Sequence, residues 1–299
     1  MQANFLGLSP ELSALDSAQV VVLPISYECS TTYVKGTAHG PEAIIQASQN
    51  LELYDEELGL EPYRVGIATV DPLAFRFQSP EEDLGHIRRA CSGLLEKGKF
   101  VVALGGEHTV TIGLVAAHLE KYPALQVLQL DAHADLRQQY LGSKYNHACT
   151  MARINELCPS LGVGIRSLSV EEAEAIQKDS RRVFFAHQMR SDPCWQERII
   201  DRLGEPVYVT LDLDFFDPAI MPSVGTPEPG GFLWYETLSF LKILAGARTV
   251  VGIDIVELCP QLGRVDPDFL AAKLAYKIIG YLAGQKAQQT PVRSKGTGI

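Results

Sequence analysis

Short apolar runs rich in β-branched residues recur along the chain and predict eight strands. Most of the runs are apolar at successive rather than alternate positions, which is typical of strands buried on both faces of a parallel sheet. The predicted strands are Val20–Pro24, Tyr63–Ile67, Phe100–Leu104, Leu125–Leu130, Val163–Ile165, Val183–Phe185, Val207–Leu211 and Thr249–Ile253. We therefore expect one sheet that helices cover on both faces.

Segments with apolar residues at a spacing of three or four separate these strands and predict helices. The predicted helices cover residues 81–98, 110–121, 169–178, 195–203 and 234–245. Strands and helices that alternate in this way indicate right-handed βαβ crossovers. The predicted fold is α/β, a single three-layer domain with a mostly parallel, doubly wound sheet of about eight strands.

Length alone leaves the number of domains open, because 299 residues is about twice the usual domain size. The chain shows no linker, low-complexity stretch or internal repeat, so we expect one catalytic domain over residues 1–299. The polar segment 285–299 is expected to be a flexible tail or to pack on a partner subunit.

The charge of the chain argues against polyanionic partners. Lysine and arginine number 26 and aspartate and glutamate 36, for a formal net charge of −10. Such a surface repels nucleic-acid backbones and anionic membranes. The first residues lack the features of a signal peptide, no stretch reaches the roughly 18 apolar residues of a membrane helix, and the cysteines form no CxxC pair. We expect a cytoplasmic protein with reduced cysteines.

Histidine and aspartate residues directly follow three of the predicted strands. Residues i and i+2 of an extended segment point the same way, so the members of one motif can converge. The carboxyl ends of parallel strands lie at one edge of the sheet, where doubly wound folds bind their ligands. We therefore expect two histidines and four aspartates to face one crevice, namely His108, Asp131, His133, Asp135, Asp212 and Asp214.

Four carboxylates in one crevice need compensating cations. Like charges a few ångströms apart raise one another's pKa, and a pair of divalent metals relieves that repulsion. Carboxylates can bridge two ions about 3.5–4 Å apart. A ligand set rich in oxygen suits Mn²⁺ better than Zn²⁺, although the ligand types also allow Ni²⁺ or Co²⁺. The sequence predicts two metal ions in each chain, with Mn²⁺ favoured.

Three motifs resemble the signatures of the ureohydrolases, the arginase and agmatinase family. They are Gly105-Gly106-Glu107-His108, Asp131-Ala132-His133-Ala134-Asp135 and Asp212-Leu213-Asp214-Phe215-Phe216-Asp217-Pro218. The resemblance covers nearly the whole chain, from Gly36–Pro41 to Asp254–Glu257, and is greatest to the agmatinases. Agmatinases often have Asp at the position of Glu107, but this position precedes the histidine ligand and puts no ligand in doubt.

The resemblance implies an arginase-like fold and two sets of metal ligands. One metal would be held by His108, Asp131, Asp135 and Asp212, and the other by His133, Asp131, Asp212 and Asp214. Asp131 and Asp212 would therefore bridge the two ions. A water between the ions, deprotonated near neutral pH, would attack the guanidinium carbon.

The resemblance also implies three catalytic residues. Asp135 would carry a proton to the leaving amine, and His147 would relay protons to that amine or to bulk water. Glu257 would accept charge-assisted hydrogen bonds from the guanidinium group of the substrate.

The expected reaction is hydrolysis of a guanidino compound to urea and an amine. We expect agmatine as the substrate, with putrescine as the product that feeds polyamine biosynthesis. Guanidinobutyrate, arginine and guanidine are the alternatives, and Arg137 or Lys144 in the loop 136–145 could bind a substrate carboxylate. The family further implies a homo-oligomer, a trimer or a hexamer.

Two other classes of protein compete with this interpretation. A non-catalytic relative would keep the fold and lose ligands, yet all six ligand positions carry competent side chains. A deacetylase-like hydrolase with one zinc would use fewer carboxylates.

The sequence assigns no catalytic role to the other polar residues. Asp217 precedes Pro218 and is expected to close a turn, and Glu228 has no assigned role. The remaining histidines are expected in ordinary surface or core positions, and they are His39, His86, His118 and His187.

Overall fold

Eight parallel strands form one open sheet in the computed structural model, which describes residues 3–179 and 182–289. The strands are β1 (Val20–Ile25), β2 (Ile67–Thr69), β3 (Phe100–Gly105), β4 (Gln126–Leu130), β5 (Ser160–Ile165), β6 (Val183–Phe185), β7 (Val207–Asp212) and β8 (Val250–Val256). Their order across the sheet is β2-β1-β3-β8-β7-β4-β5-β6. The predicted α/β fold with a doubly wound sheet is confirmed.

Helices connect the strands and cover both faces of the sheet. They are α1 (Pro10–Ser13), α2 (Gly40–Ser48), α3 (Pro80–Glu96), α4 (Val110–Lys121), α5 (Thr150–Ile154), α6 (Val170–Lys178), α7 (Ala186–Met189), α8 (Trp195–Arg202), α9 (Trp234–Ala247) and α10 (Asp266–Gln289). Serine caps begin two of them, because Ser79 accepts a hydrogen bond from the N–H of Glu82 and Ser169 forms a capping box with Glu172. Within the described ranges, none of the helices combines the length and the hydropathy needed to cross a membrane.

Alternate residues of each central strand enter two separate hydrophobic cores. In β3, Val102 and Leu104 pack with residues of α2, α9 and α10, whereas Val101 and Ala103 pack with residues of α3, α4 and α5. Both sets of side chains are buried because successive residues of a strand point to opposite faces. This double burial explains why the strands read as continuous apolar runs.

One predicted strand is largely wrong. The segment predicted as Tyr63–Ile67 forms a 3₁₀ helix at Pro62–Val65, and strand β2 begins only at Ile67. Pro62 starts the helical turn, and Gly66 then takes a φ of +75°, a value that favours glycine. The apolar pattern of this segment does not distinguish one 3₁₀ turn from the start of a strand.

Helix α10 is absent from the predicted elements, although it has 24 residues. Its buried residues follow one another almost without interruption from Ala271 to Ile279, and only Lys273 and Lys277 are charged in this stretch, so the broad polar face that marks an amphipathic helix is missing. The helix continues to Gln289, so residues 285–289 of the predicted tail are helical. Positions 290–299 lie outside the described residues, and their mobility stays a prediction.

The four strands at the centre of the sheet, β3, β8, β7 and β4, are neighbours in space but not in sequence. The chain passes from β3 to β4 across the positions that β7 and β8 later fill. Because all four strands are parallel, their carboxyl ends meet at one edge. Ligands of doubly wound folds bind where the strand order changes in this way.

A buried lysine attaches α10 to the segment that follows α2. Lys277 Nζ lies 2.9 Å from Asp55 Oδ1 and 3.1 Å from Glu57 Oε2. The side chains of Lys277 and Asp55 are only 2% and 0% exposed. Lys242 also pairs with Glu57, at 2.8 Å, but its side chain is half exposed.

We predict that Lys277→Ala lowers the free energy of unfolding by about 3–5 kcal/mol, because it leaves the Asp55 carboxylate buried without its cation. Lys242→Ala, the matched control, removes an exposed partner and should cost less than about 1 kcal/mol. Urea unfolding of both variants measures the difference. Equal losses in the two variants would show that burial of this pair adds nothing to its importance.

Candidate metal centre

The turn after β3 positions His108. Gly106 packs so closely against the segment that follows β1 that a Cβ there would lie 2.1 Å from the carbonyl oxygen of Tyr27, so only glycine fits. The next residue, Glu107, is buried and accepts hydrogen bonds from the N–H groups of Cys29 (2.7 Å) and Ser30 (2.6 Å). Glu107 therefore anchors the turn, and the side chain of His108 points to the sheet edge.

The segment after β4 turns sharply and brings three side chains to the same edge. Asp131 accepts the N–H of His133 at 2.6 Å and the Nε2–H of Gln129 at 2.8 Å. Asp135 has a φ of +54°, a left-handed conformation that aspartate tolerates better than most residues. The convergence of this motif thus depends on a bend, and not only on the alternation of an extended strand.

The segment after β7 forms a 3₁₀ turn at Leu213–Phe215 rather than a continued strand. Asp212 Oδ1 accepts the N–H of Asp214 at 2.9 Å, and Asp214 Oδ1 accepts the N–H of Ala132 at 2.9 Å. The two aspartates converge because of this turn and because Asp214 is held by the segment that follows β4.

The six predicted ligands lie together. The Nδ1 atom of His108 lies 3.2 Å from Asp131 Oδ2, 3.0 Å from Asp135 Oδ2 and 3.6 Å from Asp212 Oδ2. The Nδ1 atom of His133 lies 2.8 Å from Asp214 Oδ2 and 3.7 Å from Asp131 Oδ1. Two groups of three residues could each hold an ion, His108 with Asp131 and Asp212, and His133 with Asp131 and Asp214. Asp131 belongs to both groups.

Burial and mutual repulsion perturb the ionisation of these aspartates. Burial, with the charges of Asp214 and Asp135, raises the pKa of Asp131 to about 7. Burial and the charge of Asp214 raise the pKa of Asp212 well above its usual value. Burial also opposes the charge on Asp214, but the adjacent His133 outweighs it and lowers the pKa of that carboxyl. The cluster holds more negative charge than its own histidines neutralise.

The pKa values of the two histidines are raised as well, which favours their charged form. Burial works against a charge on His133, yet the carboxylates of Asp214 and Asp131 outweigh it and raise the pKa of this imidazole to about 10. The pKa of His108 is raised well above its usual value because Asp131 and Asp135 likewise outweigh burial. Without a metal, protons therefore take over part of the charge compensation.

The donor set fits divalent cations. His108 Nδ1 is buried and has no hydrogen-bond partner among the described residues, although carboxylate oxygens surround it. A buried nitrogen without a hydrogen-bond partner lowers the stability of the fold, so its presence indicates a function such as ion binding. An ion placed between this nitrogen and the oxygens of Asp131 and Asp212 would satisfy all of them.

A cavity of about 180 Å³ opens beside the cluster. Its lining includes Asp135, His133 and the predicted proton relay His147, together with Arg137, Tyr140, Glu172 and Thr226. His147 is held by its N–H, which donates to Ser30 Oγ at 2.9 Å. Burial lowers the pKa of His147, which favours the neutral form needed to accept a proton.

Glu257 lies next to the cluster without joining either ligand group. Its backbone has a φ of +67°, a strained conformation for a glutamate, and strained residues concentrate at functional sites. Its Oε1 accepts the N–H of His108 at 2.6 Å, so one carboxylate oxygen is engaged by the fold. Its other oxygen, Oε2, lies 3.4 Å from the point where a side chain at position 225 would place its Cβ atom. Because residue 225 is glycine, space remains beside the carboxylate.

The minor predictions have mixed outcomes. Asp217 closes a turn as expected, since its carboxylate accepts the N–H groups of Ala219, Gly230 and Gly231. Glu228, which had no assigned role, lies 3.9 Å from His133 Nε2. Lys144 stacks on the neighbouring Tyr145 ring at 4.8 Å, whereas Arg137 lines the cavity.

Three polar residues that support the cluster were assigned no role from the sequence. Gln129, Thr210 and Asp254 lie inside strands, are fully or almost fully buried and contact ligand residues or one another. A polar residue inside a buried apolar run was the only available signal, because such a residue needs partners.

Comparison with known proteins points to one family. The family model described as the arginase family matches residues 18–280. An N(1)-aminopropylagmatine ureohydrolase of Synechocystis sp. is 45% identical over 91% of this chain and 92% of its own length. The protein of the same name from Thermus thermophilus is 40% identical over 89% and 90%. The crystal structure of the agmatine ureohydrolase of Thermoplasma volcanium superposes with a TM-score of 0.86 at 30% identity, covering 97% of both chains.

We predict that Mn²⁺ raises the unfolding temperature of the metal-free protein, because an ion at 100 times its Kd stabilises the folded state by about 2.7 kcal/mol. Asp212→Asn should be at least as stable as the wild type in EDTA, since it removes one of the repelling charges. It should gain clearly less from Mn²⁺ than the wild type, because Asp212 is a predicted bridging ligand and a neutral amide bridges two cations less well than a carboxylate does. Differential scanning calorimetry with and without Mn²⁺ measures both effects.

Asp71→Asn, at an exposed position, is the matched control and should respond like the wild type. A wild-type gain in the Asp212→Asn variant would mean that Asp212 is not a bridging carboxylate.

Proposed function

This chain belongs to the arginase family and is a hydrolase of the ureohydrolase type, and from that premise we propose that it hydrolyses N1-aminopropylagmatine to urea and spermidine. The metal-dependent chemistry of this proposal rests on one observation, the buried His108 Nδ1 that faces three carboxylates and has no hydrogen-bond partner among the described residues. The choice of substrate rests on the relatives of that name, which are 45% and 40% identical to this chain.

Agmatine, the substrate expected from the motifs, is the second candidate. The Thermoplasma volcanium protein named for that substrate is 30% identical over 97% of the chain. Both candidates carry the same guanidinium group on a four-carbon chain. They differ at the distal end, where aminopropylagmatine has a further propyl chain and one more ammonium group.

Two divalent cations are the proposed cofactors. His108, Asp131, Asp135 and Asp212 would hold one, and His133, Asp131, Asp212 and Asp214 the other. When bound, the ions would act as Lewis acids and supply a hydroxide near neutral pH. The oxygen-rich ligand set supports Mn²⁺, with Ni²⁺ and Co²⁺ as alternatives. We also propose a cytoplasmic homo-oligomer, a trimer or a hexamer, which rests on the family resemblance.

Asp135 is the proposed proton carrier. It lines the cavity beside the cluster, and its Oδ2 lies 3.0 Å from His108 Nδ1, so the carboxylate would lie beside the oxygen that the ions supply. The carboxylate would take the proton that this oxygen releases and deliver it to the leaving nitrogen, since an amine leaves readily only when protonated. His147 lines the same cavity and would exchange protons between that nitrogen and solvent.

Glu257 is the proposed partner of the substrate guanidinium. Its left-handed backbone conformation and the hydrogen bond that it accepts from the N–H of His108 place the carboxylate beside the cluster. The carboxylate would therefore hold the guanidinium carbon in a fixed orientation toward the attacking oxygen. A carboxylate binds a guanidinium through charge-assisted hydrogen bonds, which are about twice as strong as neutral ones.

The charge of the protein supports a polycationic substrate. A net charge of −10 attracts such molecules to the surface. Arg137 is a cation in the cavity wall, but its guanidinium lies 4.8 Å from the ring centroid of Tyr140 and its Nε lies 3.8 Å from Glu172 Oε2. These partners reduce its repulsion of a cationic substrate.

We predict that Asp135→Asn retains the metals and loses activity. The amide oxygen can still coordinate an ion, but it cannot carry a proton. We expect kcat to fall by about 10²–10⁴-fold, the usual contribution of general acid–base catalysis. Elemental analysis and urea release, measured on the same samples with Asp71→Asn as control, test this. Turnover within a few-fold of the wild type would rule out the proton role.

We predict that kcat/KM for aminopropylagmatine exceeds that for agmatine by more than about tenfold, or about 1.4 kcal/mol in transition-state binding. Urea release from aminopropylagmatine, agmatine, arginine, guanidinobutyrate and guanidine provides the comparison. Preference for agmatine would support the second candidate. Preference for a carboxylated guanidine would overturn both and would identify Arg137 as the first residue to test.

A further inference from the structure

A buried chain of hydrogen bonds lies beneath the metal centre, on the side away from the cavity. His108 Nε2 lies 2.9 Å from Thr210 Oγ1, and this hydroxyl donates to Asp254 Oδ1 at 2.6 Å. The hydroxyl of Tyr208 donates to Asp254 Oδ2 at 2.8 Å. Thr210 and Asp254 are register partners on strands β7 and β8, so the sheet itself sets their separation. All four side chains are at most 1% exposed.

The direction of these hydrogen bonds follows from the one group that can only accept. An ionised carboxylate has no proton to donate, so both hydroxyls must donate to Asp254. A threonine hydroxyl has a single proton, and Thr210 has therefore none left for His108. It can only accept from this histidine, which requires that Nε2 carries a proton.

Thr111 does not alter this conclusion. Its Oγ1 lies 3.2 Å from Thr210 Oγ1 and can donate to it, because a hydroxyl oxygen has two lone pairs. Such a bond leaves the proton of Thr210 directed at Asp254. The chain from His108 to Asp254 keeps its direction.

A proton on Nε2 decides what the opposite nitrogen can do. In the neutral imidazole only one nitrogen carries a proton, so Nδ1 then presents a lone pair. This Nδ1 is buried, has no hydrogen-bond partner in the described part of the chain and faces Asp131, Asp135 and Asp212. The opposite tautomer would direct an N–H bond at the ion.

We propose that Asp254 is a positioning residue that acts through Thr210 to hold His108 in the Nε2–H tautomer and so keeps Nδ1 available as a metal ligand. This inference rests on the proposed metal centre and assigns a role to a residue outside it. Groups that hold the second nitrogen of a metal-binding histidine commonly contribute 10–100-fold to metal affinity.

The chemistry of Asp254 supports a role beyond packing. Burial of a carboxylate costs much more than burial of an amide or an apolar side chain, and here its two hydrogen bonds come from neutral hydroxyl groups. An asparagine of the same shape would fill the site at lower cost. It would not impose the direction, because its NH₂ group can donate to Thr210 and let Thr210 donate to His108.

Asp254→Asn therefore tests the proposal with almost no change in shape. Mn²⁺ titration against a competing chelator should show one of two sites weakened by about 10–100-fold, with the other little changed. Tyr208→Phe is the matched control, since it removes the other hydrogen bond to Asp254 without reversing the chain. It should bind both ions like the wild type.

A pair of variants at Thr210, the residue between His108 and Asp254, tests the same chain of hydrogen bonds. Thr210→Ser keeps the hydroxyl and should retain wild-type affinity at both sites, whereas Thr210→Val removes the relay and should weaken the same site as Asp254→Asn. This pair remains informative if Asp254→Asn does not fold.

Two results would overturn the proposal. Wild-type affinity at both sites in Asp254→Asn would show that the carboxylate does not control His108. Equal weakening in Asp254→Asn and Tyr208→Phe would show a general structural role. Failure of the wild-type protein to bind two divalent ions would instead contradict the metal centre, which keeps the two proposals distinguishable.

Discussion

Four buried aspartates at one edge of the sheet are the constraint on which the rest of the structure depends. Their mutual repulsion would drive them apart or protonate them, and the fold counters this with fixed backbone donors. The N–H of His133 binds Asp131, that of Asp214 binds Asp212, and that of Ala132 binds Asp214. The carboxylates of Asp131, Asp212 and Asp214 are thus oriented before any cation arrives. The strand order β3-β8-β7-β4 gathers these segments at one place.

The apolar runs predicted the sheet and the place of the site because burial on both faces leaves a clear signal. Seven of the predicted strands match observed ones, while the segment near Pro62 fails because a short 3₁₀ turn has the same apolar content. Helix α10 was not predicted because burial around most of its surface leaves its apolar residues without a clear helical period. The structure brings all six predicted ligand residues together, but partly through turns at Asp135 and Leu213–Phe215 that residue spacing cannot show.

The roles of the supporting residues Gln129, Thr210 and Asp254 could not be predicted for a different reason. Thr210 and Asp254 contact each other across two strands that are 44 positions apart in sequence, so no local pattern joins them. The predicted metal ligands follow strand ends, and their supporting residues lie inside the strands, so the fold sets the positions of both. The cavity that we propose for the substrate is lined by Arg137, Tyr140 and other residues of loops, and loops vary more freely within one fold. This division explains why the reaction class follows from three motifs, whereas the choice between two guanidino amines needs a kinetic comparison.

The number of metal ions needed for urea release tests the central claim most directly. Metal-free protein would be titrated with Mn²⁺ while bound metal and the rate of urea release are measured on the same samples. The account predicts that the rate reaches its plateau at two ions per chain, because Asp131 belongs to both candidate ligand groups. Full activity with one ion per chain, or with none, would contradict it.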